Sequence, residues 1–368
     1  MFSVLKNHCI EGVALAPQGN AAEFLESAGL AVFKVKGLSQ FDNTKFGHYI
    51  KLRWLILIRE IFYLPFSIYG LYKVKQSHSD FHLIHLNEVT LLPVGILAKL
   101  IFKVPLVVHV RSLQHYQGFI SKIFFKLLNH YADSIICIDK TVRASLPNTI
   151  PSLVIHNAIN MHASELKIKS NKVRIGISGV LLRSKGVFEF VAAANILINQ
   201  RGYDLEFCIA GQNVRKTNKC LNWIYKKLGF SQDVFKELSE YVLNNQLCNH
   251  VKMLGLVKDI RDFYQRIDIL CFPSYLNACG RPVFEAALNG IPSIVAIKSP
   301  MDDAIIHRVT GLVIENSDAL ILANAIEELI NNPLLLEELG KNAKAWASKY
   351  YNLQANCALV LDVYRSVI

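Results

Sequence analysis

Two stretches in the C-terminal half carry residues able to grip a phosphorylated ligand. In "GISGVLLRSKGVFEFVAAANIL" (176–197) an apolar run ends at Gly179, a short loop holds Arg183 and Lys185, and a helical pattern begins near Gly186. A lysine at a strand-to-helix turn adds its ammonium to the partial positive charge of a helix N-terminus, which suits a diphosphate. Two solvated loop cations would read the same way, and the string lacks the GxxxxGK(S/T) spacing of a Walker A loop. In "CFPSYLNACGRPVFEAALNGIPSIVA" (271–296) a strand again meets a loop and then a helix. Pro282 suits the first helical turn, Gly290 the helix end, and Gly280 a close approach of backbone to ligand. Glu285 lies about one turn into that helix, where a carboxylate can accept two hydrogen bonds from a vicinal diol such as a ribose. A lone helical glutamate is ordinarily solvated; the apolar surroundings in "FEAALNG" argue against that here.

The elements around these loops repeat one pattern. Short β-rich apolar runs fall at 12–17, 31–35, 81–87, 106–110, 134–138 and 152–156, then at 173–179, 205–211, 251–255, 269–274, 293–297 and 311–314. Helical stretches lie between them, at 20–29, 91–101, 119–131, 185–200, 232–246, 282–289 and 318–330. Continuous apolar strands separated by helices predict parallel sheets covered on both faces. The pattern runs through twice. The expected fold class is α/β, with two doubly wound, Rossmann-like domains facing across a cleft: 1–160, a linker at 161–171, then 172–345, and a C-terminal helix over 346–368.

Bulk properties narrow the partners. Hydrophobic residues make up 52% of the 368 and charged residues only 19%, which argues against long disordered segments. Of the net charge of +11, +8 falls within residues 1–170, which hold 18 Lys/Arg against 10 Asp/Glu. A basic surface attracts anions; with no basic run interleaved with aromatics, an anionic membrane surface is expected rather than nucleic acid. The N-terminus lacks signal-peptide design. "WLILIREIFYLPFSIYGLY" (54–72) carries Arg59 and Glu60, so it is expected as a buried or membrane-surface helix and not as a span. The eight cysteines form no CxxC and no zinc spacing, and are expected as free thiols in a reducing cytosol.

With "GVLLRSKG" (179–186) and "PSYLNACGRPVFEAALNGIP" (273–292), the chain resembles the retaining, GT-B-fold glycosyltransferases of the group 1 type, family 4. "FCIAG" (207–211), "VKMLGLVKDIRDFYQRIDILCFPS" (251–274) and "HRVTGLVIENSDALILANAIEELI" (307–330) extend the likeness over the C-terminal half, and "VVHVRS" and "VIHNAIN" into the N-terminal half. The resemblance implies a cytoplasmic enzyme, peripheral on the membrane, that moves a sugar from a nucleotide-sugar donor to a glycan or lipid-linked acceptor, with retention, without a metal and with no cofactor beyond the donor. It implies Lys185 on the diphosphate and Glu285 on the ribose. Gly179, Arg183 and the backbone from Ala278 through Gly280 to Arg281 would lie near the phosphates and sugar. Asn277 takes the place of the first glutamate of the E-x7-E pair, and Arg111 stands near a family histidine beside the anomeric centre. By the same likeness Asp303 is expected to face the cleft.

Three departures from the family pattern matter. Asn277 replaces a glutamate, Val180 stands where a diphosphate arginine is usual, and the first β-α unit is expected to be short or missing. They support an alternative, a weak or inactive nucleotide- or glycan-binding protein of the same fold, or a partner subunit of an active transferase. A sugar-nucleotide epimerase fits less well, because no acid/base pair of that pattern is evident. His82, His85 and His109 alternate with apolar residues and are expected as core or cleft-lining side chains rather than metal ligands.

Overall fold

The structure is a computed structural model that describes residues 10–45, 54–78, 80–159, 168, 170–213 and 233–368. Most of the expected linker and the basic stretch at 214–232 therefore lie outside the described residues. The chain divides into two compact units, Met1–Ala158 with Asn352–Ile368, and Ile159–Tyr351. Every ladder between the strands named below is parallel.

In the N-terminal unit β1 (Val13–Pro17), α1 (Asn20–Ser27) and β2 (Ala31–Val35) precede the long helix α2 (Ile56–Ser77). There follow β3 (Ile84–Leu86), α3 (Leu92–Phe102), β4 (Leu106–Val110), α4 (Phe119–Tyr131), β5 (Ser134–Cys137), α5 (Lys140–Ala144) and β6 (Leu153–Val154). The unit's named strands form two sheets, β1-β2 and β3-β4-β5-β6, with β1 paired to β2 and β3 paired to β4. Side chains make the join: Leu15, Val35 and Leu71 cluster with Val94 and Ala98 of α3.

The C-terminal unit comprises β7 (Arg174–Ser178), α6 (Val187–Asn195, continued by a π turn to Gln200), β8 (Glu206–Ala210), α7 (Val234–Asn244), β9 (Val251–Gly255), α8 (Ile260–Tyr264), β10 (Ile269–Phe272), α9 (Arg281–Leu288), β11 (Ser293–Ala296), β12 (Gly311–Ile314), α10 (Ala319–Ile330) and α11 (Pro333–Tyr350). Its strands run in the order β12-β11-β10-β7-β8-β9. Alternate residues feed the two faces. Ile175, Ile177, Phe207, Ile209 and Cys271 pack on one side, while Cys208, Ala210, Leu270, Phe272 and Val295 pack on the other. Both faces are therefore dry, which is why these strands read as continuous apolar runs. The winding reverses between β7 and β10, and in open parallel sheets ligands bind beyond the strand C-termini at such a switch point.

Helix α11 runs through the domain boundary expected at 345, and the chain changes unit only at Asn352. The last helix, α12 (Leu353–Val367), belongs to the N-terminal unit. Its Cys357, Val360, Val363 and Tyr364 pack on Val107, Ile136 and Ile155. Cys137, Cys208, Cys271 and Cys357 are buried free thiols, and burial pushes the Cys137 thiol up to about 11 and Cys208 to about 12. No single helix among the described residues is long and apolar enough to cross a membrane.

Candidate active site

The loops that follow β7 and β10 are built against one another. After β7 the chain makes a one-turn 3-10 segment, Arg183–Lys185, and enters α6 through Gly186 at φ 72°. A side chain at Gly186 would place its Cβ 1.8 Å from the Pro273 carbonyl oxygen, so only glycine lets the two loops touch. The Ser184 carbonyl accepts from the Tyr275 N–H at 3.0 Å and from the Ser274 hydroxyl at 3.3 Å. Two strand-end loops far apart in sequence thus form one platform.

Phe272 is the floor of that platform. The Lys185 ammonium sits 5.3 Å from its ring centroid. Gly280, at the start of α9, comes so close that an added Cβ would lie 2.5 Å from the ring Cζ. Lys185 is half-buried, and the loss of hydration holds its pKa below the usual lysine range. Among the described residues no carboxylate pairs with it. Ser178, Gly179, Lys185, Ala210 and Phe272 line a small indentation at the C-terminal edge of the sheet. The N-cap of α9 is Gly280, which makes no side-chain cap to the first N–H groups, and the second residue of the helix is Pro282. A desolvated cation and an uncapped helix start on one aromatic ring are an anion-binding arrangement.

Glu285, 6% exposed, is held from two sides. Its Oε1 accepts from Arg281 Nε at 2.6 Å and its Oε2 from the Tyr264 hydroxyl at 2.9 Å. Tyr264 is itself buried. Burial first and the Glu285 charge second keep its hydroxyl protonated well beyond the ordinary tyrosine range, so it stays a donor. The same oxygen lies 3.4 Å from Ser178 Oγ at the end of β7. Ser178, Tyr264 and Glu285 therefore tie the carboxylate to the strand that leads to Lys185. Sequence reasoning missed Tyr264 and Phe272. Tyr264 stands in the largely polar "DIRDFYQRID" (259–268), so no local signal marks its hydroxyl as buried and in need of a partner.

The other expected residues fall as follows. Arg281 is mostly exposed at the mouth of α9 and pairs with Glu285. Arg183 does not join the platform. Its guanidinium stacks over Phe188 at 4.3 Å and pairs with Glu237 of α7, since two residues along a 3-10 turn point it away from Lys185. Asn277 is exposed and left-handed at φ 48°, a conformation asparagine tolerates, and its Oδ1 accepts from the Lys298 N–H at 2.6 Å. Among the described residues its amide N–H groups have no hydrogen-bond partner. Val180 is 48% exposed. Asp303 is wholly buried rather than open to solvent, in a core that includes the Tyr351 hydroxyl, which donates to the Asp303 carbonyl at 3.0 Å.

Arg111 lies in the N-terminal unit, just past β4. Its Nη1 donates to Asn157 Oδ1 at 2.9 Å, and burial lowers its pKa while Glu88 opposes that shift. Ser112 donates to Glu88 at 3.1 Å, and burial raises the Glu88 pKa. Beside them His85 and His109 meet through ring nitrogens 3.0 Å apart, and the Tyr364 hydroxyl lies 2.6 Å from the other nitrogen of His85. Burial lowers His85 to about 4 and His109 to about 2, so both rings are neutral at pH 7. Among the described residues no group of three or more His, Cys, Asp or Glu side chains is placed to hold a metal.

Comparison with known proteins bears on the family and the fold. Residues 160–346 match the sequence profile of the family described as Glycosyl transferases group 1. An uncharacterized glycosyltransferase of Methanocaldococcus jannaschii is 23% identical over 62% of this chain and 58% of its own length. The capsular polysaccharide biosynthesis glycosyltransferase CapM of Staphylococcus aureus is 23% identical over 51% of this chain and 44% of its own. The chain thus spans about half the length of the curated relatives it matches. Among solved structures, Anabaena HepE in complex with UDP and glucose superposes with a TM-score of 0.73 at 20% identity, over 99% of this chain and 94% of HepE. That likeness is one of fold.

Proposed function

This chain belongs to the group 1 glycosyl transferases, and from that premise we propose that its C-terminal unit binds a nucleoside-diphosphate sugar and passes the sugar to a glycan or lipid-linked acceptor at the cytoplasmic face of a membrane. The observation that carries the proposal is the meeting of Lys185 and the α9 N-terminus on the Phe272 ring, with the buried Glu285 carboxylate one turn further along α9. In this reading the diphosphate takes Lys185 and the α9 N–H groups as partners. The ribose hydroxyls displace the exposed Arg281 guanidinium from Glu285, and the amide of Asn277 donates to the sugar.

The chemistry follows from charge. As the bond from the anomeric carbon to the diphosphate oxygen lengthens, negative charge collects on the phosphate and positive charge on the sugar ring. A fixed cation and oriented N–H groups stabilise the first without reorganising at the moment of reaction. We propose retention, with the acceptor hydroxyl approaching on the face that the diphosphate leaves and its proton passing to the departing phosphate oxygen. This charge stabilisation requires no metal.

Release of nucleoside diphosphate from a panel of nucleotide sugars tests the proposal. Glu285→Ala is expected to lower kcat/KM by about 100-fold or more, two charge-assisted hydrogen bonds being lost, while the protein stays folded. Parental turnover in folded Glu285→Ala and Lys185→Ala proteins would refute it. Donor binding without transfer or hydrolysis on any acceptor would favour the inactive binder for which Asn277 and Val180 argue.

A further inference from the structure

Helix α2 turns a mixed polar and apolar side inward. Its buried residues are Glu60, Ser67, Gly70, Leu71 and Val74. The Glu60 carboxylate accepts from the Gln40 N–H and from Arg59 Nε, both at 2.9 Å, and the Ser67 hydroxyl accepts from the Ser39 N–H at 2.9 Å. The opposite side carries Ile58, Ile61, Phe62, Ile68, Tyr69 and Tyr72, each between 45% and 69% exposed. At about 100° per residue these six fall within an arc of about 120°, on the side away from Glu60 and Leu71. Single apolar side chains on a surface are ordinary; a continuous stripe about four turns long is not. An apolar groove lined by Ile61, Leu64, Pro65, Ile68, Tyr69 and Tyr72 runs along it.

Cations flank the stripe. Lys36 lies 5.1 Å from the Phe62 ring centroid and Lys73 lies 4.9 Å from that of Tyr69. The half-exposed Arg59 stands on the same edge of the helix as Lys73. The only carboxylate in α2 is Glu60, and it is buried. We propose that this face of α2 docks the chain in the plane of an anionic lipid leaflet, with the Ile58–Tyr72 stripe at the acyl boundary and Lys36, Arg59 and Lys73 on lipid phosphates. The stripe is about 21 Å long and lies flat, in the manner of interfacial helices whose basic side chains snorkel to the headgroups. A second copy of the chain is the poorer occupant. It would bring like cations together, and α2 offers no exposed carboxylate to answer them. The docking stands whether or not the C-terminal unit carries out transfer.

Flotation of the full chain with vesicles separates the possibilities. The expected result is that it floats with phosphatidylcholine mixed with phosphatidylglycerol far more than with phosphatidylcholine alone. Ile61→Glu with Ile68→Glu is expected to weaken that partition at least about tenfold and leave the melting temperature unchanged, since both side chains already face water. Lys36→Gln with Lys73→Gln is expected to cost about fivefold per cation and to flatten the salt dependence. Absence of flotation at low salt overturns the proposal, as does parental flotation of the double glutamate variant. So does a sedimentation-detected dimer that the glutamates dissolve in a protein that never binds vesicles, which would assign the face to a second copy.

Discussion

Replacing Lys185 by methionine should weaken donor binding and, at the same time, leave the ligand-free protein as stable or more so. The two halves have one cause. Lys185 holds its charge half-buried, 5.3 Å from the centre of the Phe272 ring, without a carboxylate partner among the described residues. In the free protein that is a desolvated cation, and methionine, of similar length and content to lie on an aromatic ring, removes the cost. In the complex the same cation meets a diphosphate. A unit pair at about 4 Å is worth about 4 kcal/mol at an effective dielectric of about 20. The site is open to solvent, so the range for a hydrogen bond to a charged group, about 1.5–3 kcal/mol, is the better figure; it corresponds to about 10- to 150-fold in Kd. Isothermal titration with nucleoside diphosphates gives the first half and a ligand-free melt the second. The sign of the pH dependence follows. The protonated lysine binds, so affinity is flat below its lowered pKa and falls as pH rises through it, reaching this limb before an ordinary lysine would. The methionine variant lacks the limb. Unchanged affinity refutes the reasoning, and so does a loss of affinity matched by a drop in melting temperature, which would make Lys185 part of the scaffold.

Other consequences are as direct. Tyr264→Phe removes the donor to Glu285 Oε2. It is expected to raise the donor KM about tenfold, by the same charged hydrogen-bond range, with kcat changed less, as steady-state kinetics will show. Gly280→Ala drives a methyl into the Phe272 ring and is expected to lower stability by about 1–3 kcal/mol, measured by denaturant melts, and to weaken donor binding with it. His85 and His109 are neutral in the fold with pKa values lowered to about 4 and about 2. The unfolded chain therefore takes up protons first, and the N-terminal unit should lose stability as pH falls below the free histidine value of about 6.5. A His85→Asn, His109→Asn variant should show a shallower acid limb in a pH series of thermal melts.

The fold was legible where burial on both faces made strands apolar from end to end. Expectations at 173–179, 205–211 and 293–297 meet β7, β8 and β11 within a residue or two. The donor-side loops were legible because backbone needs select residue types: glycine at Gly186 and Gly280, proline at the start of α9. Pairing across sequence distance was not. Nothing near Arg183 announces Glu237, 54 residues on, and nothing near Glu285 announces Tyr264. The N-terminal unit misled because a three-residue β3 reads as a longer run, "FHLIHLN". In α2, apolar content suggested a core helix, yet the core takes Glu60 and Ser67 along with Leu71 and Val74, while Ile58, Ile61, Phe62, Ile68, Tyr69 and Tyr72 face out. Composition gives the amount of apolar surface; only the partners of each face decide where it goes.

The proposed function requires one nucleotide gripped by Lys185 and Glu285 together. A crystal structure of the chain soaked with the nucleoside diphosphate that it binds best tests this most directly. The expected result is a phosphate oxygen within about 3 Å of the Lys185 ammonium and ribose hydroxyls within about 3 Å of the Glu285 carboxylate, with Arg281 displaced. A nucleotide ordered elsewhere on the chain, with Arg281 still on Glu285, would contradict it.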